Sequence, residues 1–338
     1  MALRVVYRSH GGENSKDRPD WYSKRLALDS FLGAVRTASE AGVEVDVVFL
    51  NDGPIPEERL APMRAHGRVR AITGGSNRVS YLAGLRHATT SDWPDEDVVL
   101  LAEDDYLWRP DALVSLAGSV RRGLADYWAP YGVGTHDDIE GRRRPRAGRG
   151  EAALPDDAVR WVRHESTTST FAVRLEALRQ DLPLLVVACF SGGDFDLTSC
   201  LAVQGIPRFH AVDIVRHHPG SSTSPVVRAV RFAYLAVLRT AVDVASVRRP
   251  SRRRRLLAAD PALCTHMELG WVAPTPSGRP RFWEELAAVV QRRSEGGAPP
   301  APGTTVGLTD SDADGAATTV DPGAPRPRAG DDVWTSRG

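Results

Sequence analysis

The stretch Val98-Val99-Leu100-Leu101-Ala102-Glu103-Asp104-Asp105-Tyr106 runs from five consecutive apolar residues straight into three consecutive carboxylates. The apolar run predicts a buried strand of the kind found in parallel sheets. Three acids at its tip would repel one another and raise their own pKa values unless something cationic sits among them. Side chains alternate along an extended chain, so Glu103 and Asp105 point to one side and Asp104 to the other. The first two are therefore placed to share one oxygen-loving divalent ion. An acidic turn ahead of a helix started by Pro110 and Asp111 accounts for the same three residues equally well.

Working outward from this strand, the first half of the chain alternates strand and helix patterns. Strands are predicted at Leu3–Tyr7, Val43–Leu50, Val69–Ile72 and Asp97–Ala102, with helices at Trp21–Ser39, Pro56–His66, Asn77–Ala88 and Asp111–Arg122. That rhythm implies an α/β fold with a mostly parallel sheet and helices on both faces. Ligands of such sheets bind at the carboxyl ends of the strands. The residues due at that edge are Arg8-Ser9-His10, Asn51-Asp52-Gly53, Thr73-Gly74-Gly75 and Glu103-Asp104-Asp105.

Further strands are expected at Val159–His164, Thr168–Val173 and Arg208–Arg216, and helices from Arg174, through Val203, and over 225–247. Gly132 to Asp157 has no apolar period and reads as a long mobile loop. Beyond Glu295 the composition offers too little apolar surface to offset ordering entropy, which predicts disorder. The expected organisation is a catalytic domain over 1–222, an arginine-rich helical extension over 223–295 and a disordered tail over 296–338.

Composition narrows the function classes. The 338 residues carry no formal net charge, so whole-molecule electrostatics favour no nucleic-acid partner. Of 43 basic residues only Lys16 and Lys24 are lysine, a bias attributed to base composition. Cys189, Cys200 and Cys264 lack metal-site spacing and suit a reducing cytoplasm. The start of the chain reads as a strand rather than a signal region, and no apolar stretch is long enough to span a bilayer. Neither the Gly-Lys-Ser/Thr of a P-loop nor the G-x-G-x-x-G of a dinucleotide-binding turn is found. Arg228, Arg231 and Arg239 share one helical sector, and with the arginines of 248–255 they form a basic patch suited to an anionic membrane surface or to plain solvation.

Taken together, Asn51-Asp52-Gly53, Glu103-Asp104-Asp105 and the later Gly193-Asp194-Phe195-Asp196-Leu197 resemble the GT-A class of nucleotide-sugar glycosyltransferases, particularly the inverting family-2-like group. The likeness covers roughly residues 3 to 220 and lies in order and spacing. It implies a GT-A type, Rossmann-like sheet and transfer of a sugar from a nucleoside diphosphate donor, most naturally a UDP-sugar, to an acceptor hydroxyl. It implies Asp52, Asn77, Arg78 and Asp104 at the donor. Glu103 and Asp105 would hold Mg²⁺ or Mn²⁺, with His217 or His218 as a further ligand, since adjacent residues of an extended chain face opposite ways.

Asp194 falls on the catalytic base of that family. Gly193 stands where the family carries a glutamate, so one orienting acid is missing. A capped helix start explains Asp194 and Asp196 without catalysis, and Asp196 is assigned that role. Two alternatives stay open: a sugar nucleotidyltransferase, whose phosphate loop Tyr7-Arg8-Ser9-His10-Gly11-Gly12 matches only faintly, and an inactive module that binds a glycan or a partner.

Overall fold

The computed structural model describes residues 1–13, 15–132, 159–192, 194–209, 224–248, 253–275 and 279–296. All but the first residue of the expected mobile loop over 132–157, His217 and His218, most of the 208–216 strand and the tail beyond 296 lie outside them. So do Arg249 and Arg252.

Four strands form the centre of the molecule: β1 (Leu3–His10), β2 (Val45–Asp52), β3 (Arg68–Ile72) and β4 (Val98–Glu103). They pair in parallel in the order β3-β2-β1-β4, with Tyr7 level with Ala102 and His10 level with Asp52. Helices α1 (Lys24–Glu40), α2 (Glu57–His66) and α3 (Asn77–Thr90) make the crossovers. The Ser23 side chain caps α1 by accepting from the Leu26 N–H at 3.0 Å, and Ser76 caps α3 in the same way through Val79.

The sheet continues through shorter strands: β6 (Tyr127–Ala129), β7 (Arg160–Arg163), β8 (Phe171–Arg174) and β9 (Leu256–Asp260). The full order is β3-β2-β1-β4-β8-β6-β9-β7. Only β8 and β7 run against the others, so the sheet is mostly parallel as expected. Helices α4 (Ala112–Arg121), α5 (Leu175–Cys189), α6 (Phe195–Val203), α7 (Pro225–Val247) and α8 (Phe282–Ser294) complete the fold.

Strand alternation divides the core in two. Leu3, Val5 and Tyr7 of β1 and Val98, Leu100 and Ala102 of β4 pack with α1 and α4 on one face. Val6, Val99 and Leu101 pack with Tyr81, Leu85 and Leu178 on the other. Each fully buried aliphatic side chain contributes about 1.5–3 kcal/mol, so the run that opens in apolar residues and ends in acids is held from both sides. Its polar tip can emerge only at the carboxyl edge.

The expected boundary at 222/223 does not divide the structure. Residues 1–297 form one compact unit, because β9 inserts into the central sheet and a second small sheet pairs β5 (Tyr106–Trp108) with β10 (Cys264–His266). Two members of the arginine patch are engaged by the fold, while Arg228, Arg231, Arg248, Arg253 and Arg255 are exposed. Arg239 is buried and donates to the Ser191 carbonyl, and Arg254 pairs at 2.8 Å with Asp181, which is fully buried. An unpaired Asp181 would be costly there, so Arg254 serves the core.

Candidate active site

The strand-tip acids lie at the carboxyl edge and part to opposite sides. Asp104 faces into the fold, where its Oδ2 accepts from Ser9 Oγ at 2.9 Å, from the His10 N–H at 2.8 Å and from Lys24 Nζ at 3.1 Å. Lys24 also donates to the carbonyls of His10 and Gly12, and Arg59 to those of His10 and Gly11. Asp104, expected at the donor, is thus engaged in fastening the loop after β1. Its carboxylate is already surrounded by donors.

Glu103 and Asp105 share the other side. Arg8, only 4% exposed, donates to Glu103 Oε1 at 2.6 Å and to Asn77 Oδ1 at 3.2 Å. Arg18 and His266 both reach Asp105 Oδ2, at 3.1 and 2.9 Å. Glu268 is bound by Lys16 at 2.9 Å and faces His266 Nδ1 at 3.4 Å. Burial pushes the Glu103 carboxyl up, with Arg8 opposing and Asp105 reinforcing the rise. Burial works the same way on Asp105, but His266, Lys16 and Arg18 outweigh it and hold that carboxyl well below the usual range.

His266 stands beside the acids on β10, 161 residues from Asp105 in sequence. Both lysines of the chain, Lys16 and Lys24, sit at this edge. That was the one sequence signal for this part of the site: where arginine is otherwise universal, two retained lysines point to a local requirement. Nothing in the local pattern marked Arg18, Glu268 or His266.

Whether these residues suit a divalent cation is a question of donors. Among the described residues no three His, Cys, Asp or Glu side chains are grouped so as to hold a metal ion. Each strand-tip carboxylate is instead closed on a resident cation. Two of the ligands expected for Mg²⁺ or Mn²⁺, His217 and His218, lie outside the described residues, and Glu103 and Asp105 as placed are paired with Arg8, Arg18 and His266. A buried N–H in the same cluster, Arg8 Nε, has no hydrogen-bond partner, so an anionic acceptor would satisfy it.

Asp52 accepts from the N–H groups of Gly74 and Gly75 at 2.8 and 3.2 Å, tying the end of β2 to the loop before α3. A Cβ on Gly74 would lie 2.3 Å from Asp52 Oδ2, so this close approach requires glycine. Asn77 and Arg78 open α3. Asn77 receives Arg8, while Arg78 is exposed and stacks over Phe190 at 5.5 Å.

The acids of α6 divide between solvent and interior. Asp194 holds the N-cap position without a side-chain cap bond, is 67% exposed and meets Arg208 at 3.4 Å. Asp196 turns inward to a small cavity it lines with Tyr81, Thr168, Phe171, Ser199 and Cys200. Burial, then the charges of Asp194 and Glu103, push its carboxyl up to about 6, against the Leu197 N–H and Arg208. Tyr81 links the two halves of the site, lying under Arg8 at 5.4 Å and against Phe195 at 5.1 Å.

The fold and site define an α/β protein with a polar, charge-paired cluster at the carboxyl ends of its parallel strands. No protein-family model and no curated protein sequence matches the chain. Among solved structures, S. aureus TarS aligns at 12% identity and a TM-score of 0.38, over 60% of this chain and 34% of that one. TarS 1-349 in complex with UDP-GlcNAc aligns at 12% identity over 60% and 54%, with a TM-score of 0.35. A 4-diphosphocytidyl-2C-methyl-D-erythritol synthase aligns at 14% identity over 69% and 98%, with a TM-score of 0.34. Likenesses this low carry no argument about activity, and the chain spans about a third of the first TarS structure.

Proposed function

We propose that this protein transfers a sugar from a nucleoside diphosphate donor, in the first instance a UDP-sugar, to an acceptor hydroxyl. The observation that carries the reading is the convergence of an arginine–carboxylate cluster and a carboxyl poised near neutrality at one edge of a parallel sheet. In the reaction an acceptor O–H loses its proton to a carboxylate and its oxygen bonds to the anomeric carbon. The bond from that carbon to the diphosphate breaks on the opposite face, and the nucleoside diphosphate leaves.

Asp196 suits the base better than Asp194. Its pKa of about 6 leaves it ionised at neutral pH yet basic enough to take a proton, the balance a general base requires. Asp194 raises that pKa from the helix start. The leaving diphosphate carries negative charge that Arg8, Lys16 and Arg18 can meet, each charge-assisted hydrogen bond being worth about 1.5–3 kcal/mol. Glu103 holds Arg8, Asp105 holds Arg18 and His266, and Glu268 holds Lys16. Asp52 and Asn77 shape the loop and helix start where the nucleotide would lie.

The test is a donor panel. Purified protein is given nucleotide sugars and hydroxyl acceptors, with either EDTA or Mn²⁺, and nucleoside diphosphate release is measured. Release that depends on acceptor supports transfer. Pyrophosphate made from a nucleoside triphosphate and a sugar phosphate would instead identify a nucleotidyltransferase, and donor binding without turnover an inactive module.

A further inference from the structure

The packed face of helix α7 changes character along its length. From Leu235 onward it lies on the fold through Leu235, Arg239, Val242 and Ser246, whereas residues 225–231 are exposed on every side. At 100° per residue Arg228 falls within about 20° of Leu235 and Arg239, and Arg231 within about 20° of Val242. Two arginines therefore continue the packed face past the point where packing ends.

That point is the turn from α5 into α6, which leads to Asp194 and Asp196. Leu235 lies 3.2 Å from where a Cβ of Gly192 would be, and Arg239 donates to the Ser191 carbonyl. At 1.5 Å per residue Arg231 stands about 6 Å and Arg228 about 10 Å beyond Leu235, on the side of the helix that meets the turn. A third arginine reaches the same turn from α3. Arg78 lies over the ring of Phe190, which is 38% exposed, and the charges of Arg78 and Arg8 both act on the neighbouring Cys189 thiol.

The acids nearby are already engaged. Asp194 meets Arg208 at 3.4 Å, and Asp243, the one acid of α7, accepts from the backbone N–H groups of Arg208 and Phe209 at 3.0 Å each. Among the described residues no acid pairs with Arg78, Arg228 or Arg231. Guanidinium groups bind phosphate and carboxylate through two parallel hydrogen bonds, so this surplus suits an anion.

We infer that the acceptor is itself an anion, a hydroxyl compound bearing a phosphate or carboxylate group that Arg78, Arg228 and Arg231 hold beside Asp196. Arg8, Lys16 and Arg18 meet the donor diphosphate, which leaves these three arginines for the second substrate. Fixing the anion at the turn orients the acceptor hydroxyl toward the base. That the anion is an acceptor rests on the transferase reading; that an anion binds here rests on the three arginines alone.

Glucose, glucose 6-phosphate and glucuronic acid differ only at the sixth carbon, and their binding to the full chain by calorimetry, with and without saturating UDP, tests the inference. An anionic probe should bind about tenfold or more tighter than glucose, and high salt should shrink that preference. Tighter binding of the phosphate marks a phosphorylated acceptor, and tighter binding of the uronic acid a carboxylate one. R228S/R231S should lose most of the preference and R228E/R231E all of it. These two residues are exposed, so both variants should keep the wild-type melting curve and UDP affinity. Equal binding of the three probes, no binding of either anion, or a preference that both variants retain overturns the inference. Failure of the wild type to bind UDP would count against the transferase reading instead, and the comparison of probes without UDP would still decide whether the anion site exists.

Discussion

Replacing Asp196 by asparagine should make the protein more stable at neutral pH while removing its activity. The Asp196 carboxyl titrates at about 6 against an ordinary 3.8, because folding places its charge in a part-buried site near Asp194 and Glu103. A raised carboxyl pKa means the folded state prefers the protonated acid. That contribution is fully present below about 3.8 and is lost as pH rises through about 6. At 1.36 kcal/mol per tenfold change the full effect approaches about 3 kcal/mol, and solvent screening of a part-exposed group brings it to about 1–3 kcal/mol.

Asparagine keeps an oxygen for the Leu197 N–H, which Asp196 Oδ1 accepts at 2.9 Å, and carries no charge. Urea unfolding of both proteins between pH 3.5 and 8 gives the comparison, since the remaining titrating groups cancel in the difference. The gap should be near zero at pH 3.5, open through pH 4–6 in favour of the variant and stay level above that. Turnover should fall by about two to four orders of magnitude. A variant that is no more stable at pH 7, or a gap that does not change with pH, would refute the argument that Asp196 stores unfavourable charge for use as a base.

Three further outcomes follow from the same geometry. Arg8→Met should cost about 3–5 kcal/mol in urea unfolding, because Glu103 is left part-buried without its partner, and R8M/E103L should recover much of the loss. Nucleoside diphosphate affinity, measured by calorimetry, should be the same with EDTA as with Mn²⁺, since resident cations already balance the acids. A tenfold preference for Mn²⁺ would return Glu103 and Asp105 to metal coordination. Asp52→Ala should lower stability by about 1–3 kcal/mol by orphaning the Gly74 and Gly75 N–H groups, and should speed hydrogen exchange in residues 73–76 more than elsewhere.

The sequence by itself determined the alternation of strands and helices, the parallel core and the edge on which polar residues collect. Buried strands and amphipathic helices write their periods locally, and a carboxylate triplet can leave a buried strand only at its end. The opposite facing of Glu103 and Asp104 followed for the same reason, since alternation is a property of the extended backbone. Tertiary structure decided the rest. His266 meets Asp105 only because β10 pairs with β5, and Arg18 joins them by hydrogen bonds to Met267 and Asp105. No local pattern encodes a contact across 161 residues. The choice between Asp194 and Asp196 likewise depended on what α6 packs against. Two residues apart at a helix start, they differ by about 200° in direction, and only the neighbouring elements settle which one faces solvent and which one lies in a cavity where burial can move its pKa.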